Sequence, residues 1–216
     1  MTFGIRLPVV APDELAKSGY RIINDLRNAL DQAAYAASCM LQPDRSIKKS
    51  SFPFGQSEAD LRGSLRNAHK GQRFPDLAPA LFPHFVSLRP WRSSEANSDG
   101  NDILHTLGSI ANPNKHLIPI EVTLGGTFNM FGASGPIVSV GNMPRGNGEI
   151  ELYKVIFGHP FQIDCQFHPQ ISFGEAGLLT GKPAAPAFNE IATMVEGIVL
   201  GLEAETNRLL GEAAHS

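Results

Sequence analysis

Apolar residues recur at helical spacing near the start of the chain, where Ile22, Ile23, Leu26, Leu30, Ala33, Ala37 and Leu41 fall on one side of a helix. Pro8 and Pro12 keep the preceding segment extended, and Asp13 can accept the first helical amides, so a helix is predicted from Asp13 to about Leu41. Asn24, Arg27, Asn28, Asp31, Gln32 and Tyr35 are assigned to the opposite side, with Cys39 one turn further on. That side is either solvated or the wall of a site.

From Gln42 to Phe54 the pattern switches to proline, serine and lysine, and Phe52-Pro53-Phe54 suggests an extended piece anchored by its aromatic rings. Glu58 to Lys70 reads as a second helix with Leu61 and Leu65 inward. A short helix is expected over Asp76 to Phe82, after which Pro83 and Pro90 bracket His84 to Leu88 as a break. Asn101 or Asp99 caps a further helix to Ala111, with Ile103, Leu104, Leu107 and Ile110 on its apolar side and Asp102, His105, Ser109 and Asn112 on the other.

The second half changes period. His116 to Leu124, Pro136 to Gly141, Glu149 to Phe157 and Phe161 to Cys165 are β-rich runs separated by Gly, Asn and Pro, which favours antiparallel hairpins. A last helix from Ala187 to Leu210 carries Phe188, Ile191, Ala192, Val195, Ile198, Val199, Leu202 and Leu209 on its apolar face. The fold class expected is α+β, with N-terminal helices packed on an antiparallel sheet and on the long C-terminal helix. It reads as a single integrated domain over residues 1–216, with helical and sheet-plus-helix subdomains at 1–116 and 117–216.

Composition narrows the function classes. A chain of 216 residues can bury roughly 70% of its unfolded surface, enough for one substantial core or two modest ones. The net charge of -3 supports no broad attraction for nucleic acid or anionic lipid. Cys39 and Cys165 are too few for a disulfide scaffold and read as reduced buried thiols. Without a run of about 20 apolar residues, a soluble cytoplasmic protein with no membrane partner is expected.

Two polar segments carry the candidate chemistry. Arg27 and Asp31 stand one helical turn apart, so they either stabilise an exposed helix by roughly 0.2–0.5 kcal/mol or place Arg27 to hold an anionic group while Asn28 and Gln32 read hydrogen-bond edges. In Asn112-Pro113-Asn114-Lys115-His116, Pro113 ends a helix whose exit Asn112 and Asn114 satisfy. The functional reading gives His116 a general acid or base role, with Lys115 supplying charge and His105 as second member. No metal ligand set has diagnostic spacing and no cofactor is implied. Gly125-Gly126 and Gly132 to Gly135 lie between strand-like runs, the wrong context for a phosphate loop.

Arg27-Asn28-Ala29-Leu30-Asp31-Gln32 and Asn112-Pro113-Asn114-Lys115-His116 resemble a group of bacterial and phage-associated proteins with an Arg-Ser-Ala-Leu-Asp-His-like helix and an Asn-Ile-Asp-Lys-His-like turn. The resemblance covers about the first 120 residues and implies no particular activity. Arg27 also begins a spacing similar to the arginine-histidine signature of HEPN-type helical ribonucleases, but Gln32 stands where the histidine would be and cannot exchange a proton near neutral pH. The preferred expectation is a protein that binds a small polar ligand or a protein partner through Arg27, Asn28, Asp31, Gln32, Asn112, Asn114, Lys115 and His116. The alternatives are a metal-independent ribonuclease or other hydrolase using His116 or His105, and a structural homo-oligomer completed along its last helix.

Overall fold

A computed structural model describes residues 2–6, 12–48, 50–66, 74, 76–94, 99–111, 122–134, 137–145, 149–155, 162–173 and 179–215. The chain forms two compact units, one made of Met1–Ser18 and Pro119–Ala185, the other of Gly19–Ile118 and Pro186–Ser216.

In the first unit, β1 (Thr2–Arg6) and β3 (Ile137–Arg145) flank β4 (Glu149–Val155), all antiparallel. The longer strands β2 (Val122–Ser134) and β5 (Gln162–Phe173) form a separate antiparallel ribbon, from Val122 opposite Phe173 to Ser134 opposite Gln162. Cys165 lies in this ribbon opposite Met130.

The second unit is helical. Its elements are α1 (Pro12–Leu41, within this unit from Gly19), α2 (Glu58–Arg66), a 3₁₀ turn at Pro79–Leu81 that runs into α3 (Phe82–Ser87), α4 (Asp102–Ala111) and α5 (Ala184–Ala214, within this unit from Pro186). Ile23, Leu30, Ala34 and Ala37 of α1, Leu104 and Leu107 of α4, and Ile191, Val195, Ile198 and Leu202 of α5 are buried. Phe52, Leu61, Leu65, Leu81, Phe85 and Trp91 are buried as well.

The expected α+β class is therefore corrected to a mainly helical protein. The buried residues of this unit lie on its helices and on the connections between them, so among the described residues its core is built without a sheet. The physical reason is the connection from Gln42 to Phe54, which supplies a fully buried Phe52 where the sequence pattern looks to a sheet for packing surface.

Several local expectations also shift. Pro83 does not break the chain. It sits in the first turn of α3, where a missing amide costs nothing, and His84 is thereby helical. Asn101 caps α4 through its Oδ1, which accepts the Leu104 amide at 3.0 Å. On α1, Ile22 is not inward: it is 41% exposed, while Leu26, Ala33 and Leu41 are only half-buried.

Candidate recognition face on the first long helix

Arg27 and Asp31 do not lie on the outer side of α1. Stepping about 100° per residue, they fall on the flank beside Ile23, Leu30 and Ala34, and Asn28 and Gln32 fall about 100° further round. The Arg27 and Asp31 side chains are accordingly 13% and 29% exposed, whereas Asn28 and Gln32 are exposed.

The connection after α1 explains that burial. Asp31 Oδ1 accepts the Phe52 amide at 2.7 Å, and Arg27 Nη2 donates to the Phe52 carbonyl at 3.3 Å. One acid and one base thus grip both backbone polar groups of a single residue. The pair is closed on itself as well, with Arg27 Nη2 3.1 Å from Asp31 Oδ1 and Nε donating to Oδ2 at 3.3 Å. Phe54 completes the clasp, its ring centroid 4.1 Å from the Arg27 guanidinium carbon.

Phe52 packs tilted against Phe54 at 5.1 Å and edge-on against Phe85 at 5.6 Å. On α4, Gly108 leaves room for the Phe54 ring, since an alanine there would put its Cβ 2.5 Å from Phe54 Cδ1. Burial lowers the proton affinity of Arg27 and Asp31 opposes that shift. Arg27 Nη1 is buried with no hydrogen-bond partner among the described residues, so one edge of the guanidinium remains unsatisfied.

The outer side of α1 is different. Ile22 and Met40, 41% and 50% exposed, stand at the two ends of a row continued by Leu26, Ala29, Ala33 and Ala36. The spacing alternates four and three residues, the period of a helix-pairing seam. Asp25, Asn28 and Gln32 rim this row with exposed polar groups. Tyr35 is 44% exposed, and the neighbouring Cys39 raises the pKa of its hydroxyl. The signal for this row is present in the sequence, as a run of apolar positions too wide for a single buried stripe.

Of the remaining expected residues, His105 is half-buried on α4. Its pKa is lowered by burial and by Arg92, with Asp102 opposing. Asn112, Asn114, Lys115 and His116 lie outside the described residues. A separate groove of about 660 Å³ is lined by Ser87, Arg89, Asp99 and Asp102 among others. Arg89 there adopts a left-handed φ of 53°, and its carbonyl accepts the amides of Trp91 and Asn101 at 2.7 and 2.9 Å. Among the described residues no three His, Cys, Asp or Glu side chains converge to hold a metal ion, and no described helix is long and apolar enough to cross a membrane.

Compared with protein-family models, with curated proteins and with solved structures, the chain matches none.

Proposed function

We propose that this protein works by binding another protein through the outer face of α1. The observation that carries this reading is the row from Ile22 to Met40, whose ends are 41% and 50% exposed and whose edge is lined by Asp25, Asn28 and Gln32. An apolar strip with a polar rim has the anatomy of a protein interface, and its open shape suits a partner surface better than a small molecule. Arg27 is poorly placed to be the principal ligand contact, because its Nε and Nη2 donors are engaged by Asp31 and Phe52.

A photo-crosslinking amino acid at Gln32 tests the reading in cells, with the same group at Glu203 on α5 as control. A discrete adduct from Gln32 and none from Glu203 is expected. Equal adducts from both positions, or none from Gln32, would overturn it.

A second reading rests on the free edge of Arg27. Its Nη1 is a buried donor without an acceptor among the described residues, which suits a small carboxylate or phosphate reaching the clasp. Calorimetric titration with such anions, compared between the native protein and Arg27→Lys, tests it; no heat in the native protein rejects it.

A further inference from the structure

We infer that the partner docked on α1 is a second copy of this chain, laid antiparallel along the row from Ile22 to Met40 about a two-fold axis that crosses the seam midway between Ala29 and Ala33. This rests on the reading of the outer face of α1 as a docking surface and adds the identity of its occupant. The order of side-chain sizes along the row points to that occupant.

When α1 is reversed against itself about that axis, Ile22 meets Met40 of the copy, Leu26 meets Ala36, and Ala29 meets Ala33. Each large end residue finds an apolar partner, Leu26 faces a small one, and the alanines nearest the axis allow the helices to approach to roughly 8 Å. A closed two-fold contact needs a surface complementary to itself, and this row is so in one register. A one-turn slip would leave Ile22 or Met40 beyond the end of the seam.

The polar rim agrees with the same register. Asp25 comes level with Cys39 and Ala36 of the copy, and Gln32 lies near Gln32, where an amide serves as donor and acceptor at once. Asp31 and Arg27 point away from the seam toward Phe52. No like charges are thereby forced together.

The row rises about 27 Å along the helix, a contact one helix wide. That lies at the low end of specific interfaces, so the dissociation constant expected is on the order of 10–100 μM. Sedimentation equilibrium of the full chain from about 1 to 300 μM should show the average mass rise from that of one chain toward twice that value. Ala36→Glu, at an exposed position facing Leu26 of the copy, should raise the midpoint concentration at least tenfold. Its circular dichroism and melting temperature should be unchanged. Glu203→Lys on α5 should leave association as it is.

Register is read separately by nitroxide labels at Gln32→Cys or Asp25→Cys in a background of Cys39→Ser and Cys165→Ser. The antiparallel pair places the two Gln32 positions about 10 Å apart and the two Asp25 positions about 20 Å apart; equal separations mean a parallel pair and overturn the register. A single-chain mass up to the highest concentration, or a dimer indifferent to Ala36→Glu, overturns the inference. If the chain stays monomeric while Gln32 still crosslinks to a different protein, only the choice of occupant fails and the docking face stands.

Discussion

The two flanks of α1 contain residues of opposite character, and each sits where its type would not suggest. Arg27 and Asp31, a cation and an anion, are turned toward the core and closed on a backbone peptide. Ile22 and Met40, both apolar, stand open to solvent at the rim of the same helix. Charge therefore marks a site only where its hydrogen-bonding capacity is left over, and apolar surface marks one only where packing stops short. On the inner flank most of the polar capacity is engaged in holding Phe52; on the outer flank the apolar surface exceeds what the helical core can cover.

The strongest effect is expected on the inner flank. Asp31→Ala removes the acceptor of the Phe52 amide and leaves Arg27 as a mostly buried charge without its counterion. Breaking a half-buried ion pair from one side, with a backbone donor orphaned as well, should cost roughly 2–4 kcal/mol. Gln32→Ala, one residue on but facing solvent, should stay within about 0.5 kcal/mol. Urea denaturation of the two variants measures the contrast. Similar losses from both would show that the inner and outer flanks are not distinct.

A second variant, weaker in effect, tests whether the clasp needs the exact depth of Phe54. Gly108→Ala would set a Cβ 2.5 Å from the Phe54 ring, and the ring is itself held under the Arg27 guanidinium. Overpacking of this kind should destabilise by about 1–3 kcal/mol, and Phe54→Leu in the same chain should recover part of the loss. If Gly108→Ala melts like the native protein, the contact between α4 and the Phe54 ring is loose.

Much of the helical skeleton is legible in the residue pattern alone. The apolar period locates α1, α4 and α5, and Asn101 is recognisable as a cap because amide oxygen before an apolar run is what an open helix end requires. Face assignment is where the pattern misleads. Polarity groups Arg27 with Asn28 and Gln32, although its angular position is nearer Ile23 and Leu30; only the partner supplied by Phe52, 25 residues on, makes that burial tolerable. No local pattern announces such a partner. The α+β expectation fails for a related reason, since periodicity locates strands and helices but not which of them fill a given core.

The outer row is hidden by the opposite error. Ile22 and Leu26 read as core because they are apolar, and a single sequence does not say how much of a wide apolar arc its own fold will cover. Arg27 and Asp31 have a structural use here as a clamp on the following segment, a role that needs no ligand.

The weakest effect expected is a pH dependence on the closed side of the helical unit. His84 of α3 is half-buried, its Nε2 is enclosed with no hydrogen-bond partner among the described residues, and its Cε1 would lie 3.7 Å from a Cβ placed on Gly201 of α5. Burial lowers its pKa, with Glu205 opposing, and Glu205 is itself held by Arg208 at 2.7 Å. A histidine whose folded pKa lies below its unfolded value of about 6.5 contributes stability that is complete above that pH and is lost as pH falls through the folded value. Unfolding free energy should therefore drop modestly between about pH 7.5 and 5.5, and His84→Gln should flatten that slope while leaving the share due to His105, whose pKa is also lowered. The same titration also separates the flanks of α1, because association through the row from Ile22 to Met40 involves no histidine and should not follow this slope. A dimer that dissociates in step with His84 would mean that the core contact between α3 and α5 and the open face of α1 are energetically one.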